Sequence, residues 1–182
     1  ERPTLEVAHD LLGQVLVHRR GGRTTSGVIV EVEAYIGEDD PACHAAAGRT
    51  ARNSPMYGPP GVAYVYLNYG IHALFNIVTE PAGRPAAVLI RALEPREGLS
   101  TMRRRRARAA VGRRQVTGAS IEEASLCRGP GNLTVAMGIG LGHNRADLIG
   151  AQLYVESAAR PDGAVVWTPR IGISVGEDRL WR

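Results

Sequence analysis

The 182-residue sequence predicts one α+β domain. Three observations lead to this fold class: strand-like segments cluster in the first half, helical segments lie among and after them, and no regular βαβ alternation is present. With 44% hydrophobic residues, the chain is long enough to bury one sizeable core. We therefore expect a single domain over residues 1–182. The abrupt start at Glu1 is typical of a sequence whose terminal segments have been truncated.

Short helices and strands, bounded by glycine, proline or capping residues, make up the chain. Thr4 is the expected N-cap of a first helix that ends at Gly13, and Ser120 with Glu123 forms a capping box for a later one. The other predicted elements are, in order, strands at 14–19 and 26–35, a loop with room for one helical turn at 38–52, a strand at 86–92, a helix at 94–110, a helix at 129–137, and strands at 154–156 and 165–167.

The stretch at residues 61–76 predicts a β-hairpin, because alternating β-branched and aromatic residues precede Asn68-Tyr69-Gly70 and an apolar run follows it. Tyr64 and Tyr66 share one face of the first strand, since strand side chains alternate. Tyr69 stands near the turn, where an aromatic ring has little core to enter. Two interpretations remain open: a core hairpin with one surface tyrosine, or a stacking platform with a wedge at its tip.

The basic residues are unusual because all 22 are arginine. Without lysine, a lysine Schiff base is unavailable to this chain. Seven of the arginines lie between Arg103 and Arg114, and without them the net charge of +4 becomes −3. Both a phosphate-facing surface and a solvated helix face fit such a local basic run.

Cysteine usage and hydropathy restrict the setting of the protein. Cys43 and Cys127 make no disulfide framework, which fits a reducing compartment. No signal peptide is visible, and no apolar run approaches the roughly 20 residues of a membrane span. Cys43, His44 and Cys127 lack zinc-ligand spacing, so we expect no metal site. The composition indicates a bacterial cytoplasmic protein without a membrane partner, and it does not exclude a nuclear one.

A pair of glutamates marks the strand at residues 28–35. Alternation places Ile29 and Tyr35 on one face with Glu31 and Glu33. Two carboxylates on an otherwise apolar strand are costly unless that face meets water or a partner. A carboxylate beside a tyrosine in a cleft fits a general base, and two glutamates also fit a plainly solvated strand face. The spacing alone leaves both interpretations open.

An ordered set of motifs covers nearly the whole chain. They are Glu31-Val32-Glu33-Ala34-Tyr35, Cys43-His44, Arg52-Asn53 with Met56, the tyrosine hairpin ending in Asn76, Leu89-Ile90-Arg91-Ala92-Leu93-Glu94-Pro95, Gly129-Pro130-Gly131-Asn132-Leu133 and Arg170-Ile171-Gly172-Ile173. This set resembles the alkyladenine (3-methyladenine) DNA glycosylase family. The resemblance implies a compact domain with a curved, mainly antiparallel sheet, flanking helices and a protruding β-hairpin. The chain departs from the family at Leu180-Trp181-Arg182, where relatives continue, and in its arginine run.

The resemblance also implies a function. A family member is a monofunctional DNA glycosylase that flips alkylated or deaminated purines (3-methyladenine, 7-methylguanine, hypoxanthine, ethenoadenine) out of double-stranded DNA and hydrolyses the N-glycosidic bond in base excision repair. It acts as a monomer and without a cofactor. A non-catalytic nucleic-acid-binding module of the same fold is the alternative.

The same resemblance assigns roles to individual residues. Glu33 is the base that activates the hydrolytic water, and Arg91 with the main-chain carbonyl of Ile171 helps to hold that water. Arg91 could instead pair with Glu94 or Glu31 as a structural ion pair. The remaining roles are the base pocket of Tyr35, His44, Tyr66 and Asn76 (the last rejecting guanine), the intercalating wedge Tyr69, and the phosphate contacts Arg49, Arg52 and Asn132.

Overall fold

A six-stranded antiparallel sheet organises the fold. The structure is a computed structural model that describes residues 2–109, 121–159 and 163–182. Its strands are β1 (Val15–Arg20), β2 (Arg23–Ile36), β3 (Ala63–Asn68), β4 (His72–Val78), β5 (Ala86–Glu97) and β6 (Leu153–Glu156), and their order in the sheet is β3-β4-β5-β2-β1-β6. Three helices flank it: α1 (Thr4–Leu11), α2 (Leu99–Ala109) and α3 (Pro130–Met137). The predicted α+β class and the curved antiparallel sheet are confirmed.

The long strand β2 contains an irregularity that the sequence pattern did not reveal. Val30 is an extra residue between the pairs Ile29–Leu93 and Glu31–Ala92, so a β-bulge interrupts the ladder. Ile29 consequently packs into the main core together with Val32, whereas Val30 is 49% exposed. The prediction that Ile29 shares a face with Glu31, Glu33 and Tyr35 is wrong, because one inserted residue reverses the alternation.

Helix α2 begins later than predicted. Glu94 to Glu97 continue β5 instead of opening the helix, and Pro95 pairs with Gly27 of β2. Gly98, with φ +79°, then separates the strand from the helix. Pairing with β2 therefore overrides the local helical preference of this stretch. The strand predicted at 165–167 is also wrong, because the chain there forms no ladder in the described residues.

The first helix is capped differently from the prediction. Pro3 occupies the N-cap position and Thr4 lies inside the helix. The buried Thr4 hydroxyl bonds the side chains of Thr79 and Glu80 at 2.9 Å each, which ties the helix to the chain just after β4. Of the predicted capping box, Ser120 lies outside the described residues, and Glu123 opens a short 3-10 turn.

Two apolar clusters lie on opposite faces of the sheet. The main core packs the sheet against the helices, and its members include Leu16, Val32, Ala34, Val65, Phe75, Ile90, Met102, Leu133 and Met137. A smaller cluster contains Cys43, Met56 and Tyr64, with Tyr35 and Tyr66 at its edge. Because Tyr64 and Val65 are neighbours on β3, their clusters face opposite ways. The second face is the one that holds the candidate site.

Arginines in the described part of the arginine run contact other groups of the protein. Arg105 donates to the carbonyl of Ala136 at the end of α3 (2.9 Å), and Arg106 donates to the carbonyl of Leu126 (2.6 Å). Arg103 lies 3.4 Å from Glu123. Arg113 and Arg114 lie outside the described residues. These contacts support a structural role for the first half of the run, and its contact with DNA stays a prediction.

Among the described helices, none has the length and apolar character that a membrane span requires.

Candidate active site

The Glu33 carboxylate is fully buried and held by three hydrogen-bond donors. Oε2 accepts from the Tyr35 hydroxyl (2.9 Å) and from Nη1 of Arg91 (3.1 Å), and Oε1 accepts from the backbone amide of Ile171 (2.7 Å). A carboxylate offers about four acceptor positions, so these donors leave one on Oε1. The residue that reaches Glu33 is the predicted Ile171, although the observed contact uses its amide and not its carbonyl.

Arg91 joins the two glutamates of β2. Its Nε donates to Oε1 of Glu31 at 3.1 Å while its Nη1 reaches Glu33. Arg91 is itself an extra residue on β5, between the pairs Glu31–Ala92 and Val32–Ile90, and such a bulge re-aims a side chain. Arg91 thus forms the ion pair with Glu31 that the structural interpretation predicts and also pairs with Glu33, and its role in holding a water molecule stays a prediction.

Glu31 is less buried than Glu33 and has a second cation. Nη1 of Arg182 lies 2.8 Å from the same Oε1 that Arg91 contacts. Burial opposes ionisation of Glu31, but the bonds and charges of Arg182 and Arg91 outweigh it and lower the pKa of this carboxyl. Glu31 therefore remains charged and fixes the Arg91 guanidinium.

An aromatic cavity of about 390 Å³ adjoins these groups. All four predicted pocket residues line it (Tyr35, His44, Tyr66 and Asn76), as do Arg91, Ile171 and Tyr69. Glu33 is buried just behind the wall that Tyr35, Arg91 and Ile171 form. A larger and mostly apolar cavity of about 460 Å³ lies between α1, β2 and the C-terminal segment. We take the smaller cavity as the candidate site, because it combines an aromatic lining with the three donors of Glu33.

Tyr64 organises the pocket from beneath. Its hydroxyl lies 2.9 Å from Nδ1 of His44, and its carbonyl accepts a bond from Nδ2 of Asn76 (3.0 Å). The His44 ring lies 4.5 Å from the Tyr66 ring, with an angle of 70° between their planes. Tyr64 is 1% exposed, so it is a buried residue beneath the pocket.

The aromatic groups of the pocket are uncharged at neutral pH. Burial, assisted by the nearby Arg52, lowers the pKa of His44. Burial also raises the pKa of Tyr66 to about 12, and that of Tyr35 is raised by burial and by the neighbouring Glu33. The cavity therefore offers neutral π-faces to a ligand, with Arg91 in its lining and the Arg52 cation over the Tyr66 ring.

The hairpin tip presents Tyr69 to solvent. Tyr69 is 87% exposed and adopts a left-handed conformation with φ +50°. Gly70 follows with φ +69°, and the amide of Ile71 closes the turn onto the carbonyl of Asn68 at 3.1 Å. A left-handed backbone at a bulky residue costs roughly 1 kcal/mol or more. Tyr64 thus lies in a core cluster and Tyr69 is a surface tyrosine at the tip, as the first interpretation predicts, whereas the stacking platform and the wedge stay predictions.

The three predicted phosphate contacts are exposed, but they are not equally close to the cavity. Arg52 lies over the Tyr66 ring at 5.2 Å and donates to the carbonyl of Leu67 (2.9 Å), so it stands at the pocket wall. Asn132 is in the first turn of α3, beside the cavity-lining Pro130. Arg49 lies instead over the ring of Tyr57, at 5.4 Å. The phosphate contacts stay predictions.

The sequence analysis missed a buried ion pair next to the site. Nη1 and Nη2 of Arg170 bond the two oxygens of Asp40 at 2.6 and 2.8 Å. Burial opposes ionisation of Asp40, but Arg170 outweighs it and lowers the pKa of that carboxyl. Arg170 begins a motif noted in the sequence, whereas Asp40 lies in a polar loop with no signal of its own.

In the three described ranges, no group of three or more His, Cys, Asp or Glu side chains could hold a metal ion. Cys43 and Cys127 are both free and buried.

Comparisons with known proteins agree with the resemblance. A family model described as methylpurine-DNA glycosylase (MPG) matches residues 1–182. A protein of Chlorobium phaeobacteroides is 49% identical over all of this chain and 86% of its own length, and one of Rubrobacter xylanophilus is 49% identical over 95% and 84%. One of Methanocella arvoryzae is 47% identical over all of this chain and 87% of its own length. All three carry the name "Putative 3-methyladenine DNA glycosylase". The chain therefore belongs to the methylpurine-DNA glycosylase family and is a DNA glycosylase.

Proposed function

We propose that this protein is a monofunctional glycosylase that removes alkylated or deaminated purines from duplex DNA by hydrolysing the N-glycosidic bond, as the first step of base excision repair. Its substrates would include 3-methyladenine, 7-methylguanine, hypoxanthine and ethenoadenine. One observation carries the proposal: the buried Glu33 carboxylate accepts from three donors, Tyr35, Arg91 and Ile171, which also line an aromatic cavity.

The target bond lies inside the duplex, so the damaged nucleotide must be rotated out of the stack. Extrusion costs a few kcal/mol, and a side chain that fills the vacated space prevents the duplex from closing again. Tyr69 suits this role because it is 87% exposed at the tip of the hairpin that lines the cavity. Tyr69 adopts a left-handed backbone conformation, with φ +50°, in the turn at this tip.

Stacking would hold the extruded base in the cavity. Tyr35, His44 and Tyr66 offer π-faces, and stacking on an aromatic side chain contributes about 1–3 kcal/mol per base. A neutral His44 does not repel the positive charge of an N-alkylated purine. Asn76 is fixed by its bond to the Tyr64 carbonyl, and by the family resemblance it would help to reject normal guanine.

Hydrolysis would proceed through an oxocarbenium-like transition state. The open position on Oε1 of Glu33 suits a water molecule that the carboxylate can orient and deprotonate, while its negative charge offsets the charge that develops on the sugar. In this mechanism Arg91 and the Ile171 carbonyl hold the same water. The 182 residues include no lysine, so the ordinary imine route to strand cleavage is absent.

Binding to the DNA backbone would use Arg49, Arg52 and Asn132, which are exposed in the structure. We expect the protein to act as a monomer in the bacterial cytoplasm. A non-catalytic binding module is the weaker interpretation, because a binder gains nothing from a carboxylate and a guanidinium buried together.

The proposal is tested by incubating the protein, without metal, with four duplexes that each carry one of the proposed lesions. We expect release of the free base and no strand break until alkali is added. Binding of every duplex without release of any base would contradict the catalytic function. Strand cleavage without alkali would contradict a monofunctional mechanism.

A further inference from the structure

We propose that the Asp40–Arg170 ion pair is a positioning device that sets the hydrogen bonds of Glu33. The inference rests on the proposed function, in which Glu33 activates the hydrolytic water. The hydrogen bonds that Glu33 accepts in the described part of the chain come from Tyr35, Arg91 and Ile171, so Asp40 and Arg170 would act on them through other groups.

The geometry of the pair is tightly constrained. Both side chains are 0% exposed, and the guanidinium binds the two carboxylate oxygens at 2.6 and 2.8 Å. Its Nη1 also donates to the carbonyl of Ala34 on β2, at 3.1 Å. A bidentate pair of this kind fixes orientation as well as distance. Arg170 is therefore anchored at the end of β2 that carries Glu33 and Tyr35.

The pair positions the backbone donor of Glu33. Ile171 follows Arg170 directly, and its amide donates to Oε1 of Glu33 at 2.7 Å. The described residues 163–182 form no helix or strand, so individual contacts hold this segment against the sheet. Another such contact joins the amide of Ala34 to the carbonyl of Trp181, at 2.9 Å. Arg170 is the anchor nearest to Ile171 in the chain.

The Arg170 guanidinium also lies over the ring of Tyr35, whose hydroxyl is a second donor to Glu33. The guanidinium carbon of Arg170 lies 4.7 Å from the centre of the Tyr35 ring and 5.2 Å from that of Trp181. The Tyr35 hydroxyl donates to Oε2 of Glu33 at 2.9 Å. Arg170 thus fixes two of the three donors of Glu33, and the third, Arg91, comes independently from β5.

Asp40 completes the device from the loop after β2. Its Oδ1 accepts a bond from the amide of Ala42 (3.2 Å) and its Oδ2 from that of Ile36 (3.3 Å). The carboxylate is thus held by its own loop before it binds Arg170. Loss of either partner would let the Ile171 segment and the Tyr35 ring move, and a supporting interaction of this type affects rates by roughly 10- to 100-fold.

The test compares Arg170→Lys and Asp40→Asn with Arg2→Lys as a matched control. Arg2 forms an ion pair of the same 2.6 Å length with Asp10, but this pair is exposed. The substrate is a duplex with one hypoxanthine, and the two readouts are the single-turnover rate of base release at saturating enzyme and the dissociation constant. We expect the rates of Arg170→Lys and Asp40→Asn to fall by roughly 10- to 100-fold. Dissociation constants should stay within about twofold, and the control should match the wild type.

Three results would overturn the inference. The first is a rate within about twofold of the wild type in both variants. The second is an equal loss of rate and of binding, which a general structural defect would produce. The third applies if neither variant folds at the assay temperature, and it uses hydrogen exchange in the wild-type protein. The Ile171 amide should exchange at least about tenfold more slowly than the Gly172 amide. Equal exchange rates of the two amides would overturn the inference.

A separate variant distinguishes this inference from the proposed function. Full activity of Glu33→Gln would contradict the role of Glu33 as the general base, on which both proposals depend. An inactive Glu33→Gln together with a fully active Arg170→Lys would overturn the positioning role alone.

Discussion

Replacing Arg91 by methionine should destabilise the protein strongly, because Glu33 would lose its buried cation. The side chains of Arg91 and Glu33 are 11% and 0% exposed, and the two groups lie 3.1 Å apart. Removing one partner of a buried ion pair costs about 3–5 kcal/mol. Methionine replaces the apolar part of the arginine stem but not its charge. For a domain of this size, each kcal/mol corresponds to about 2–4 °C in Tm, so Arg91→Met should melt roughly 6–20 °C below the wild type.

The assay is a double-mutant cycle measured by urea unfolding. Glu33→Gln removes the buried charge while keeping the shape of the side chain. The double variant should therefore be more stable than the sum of the two single effects predicts, by at least about 2 kcal/mol. The matched control is Glu31→Gln, because Glu31 is 29% exposed and would keep Arg182 as a partner. Its coupling to Arg91 should stay at about 1 kcal/mol or less. Additive effects of Arg91→Met and Glu33→Gln would refute the reasoning.

Two further outcomes follow from exposure and from titration. Tyr69→Ala should leave the free energy of unfolding within about 0.5 kcal/mol of the wild type, because the ring is exposed, yet slow base release from duplex DNA; an unchanged release rate would contradict the wedge. Burial, His143, Arg105 and Arg20 lower the pKa of His18, opposed only in part by its backbone hydrogen bond. The folded protein therefore binds the His18 proton less readily than the unfolded chain does. The resulting contribution to stability is fully present above the unfolded pKa of about 6.5, and it is lost as the pH falls through the lowered pKa of the folded state. Between pH 7 and 5, Tm should fall more steeply in the wild type than in His18→Gln, and equal slopes would contradict this assignment.

Short-range patterns predicted the hairpin and its tyrosines well. Alternation on β3 determines that Tyr64 and Tyr66 share a face, and turn residues at the tip leave Tyr69 outside any core. Both features depend on a few neighbouring residues, so periodicity captures them. The roles of Glu33 and Arg91 came from the family resemblance, and the structure then brought the two side chains together.

Long-range pairing produced the features that the sequence did not reveal. The bulges at Val30 and Arg91 arise from the register between β2 and β5, and no local pattern marks them. The same pairing kept Glu94 in a strand although its neighbourhood favours a helix. Asp40 and Arg170 are 130 residues apart and meet through a segment without periodic structure. Such a contact depends on the completed fold.

The most direct measurement is the single-turnover rate of base release by Glu33→Gln, compared with the wild type at saturating enzyme on a duplex with one hypoxanthine. A positioned general base contributes about 10²–10⁴-fold, so the rate should fall by at least about 100-fold. Glutamine keeps the volume of the side chain, and its one carbonyl oxygen can still accept from Tyr35 and Arg91 at the Oε2 position, so lesion binding should stay within a few-fold of the wild type. Release at the wild-type rate would contradict the role of Glu33 as the base that activates water.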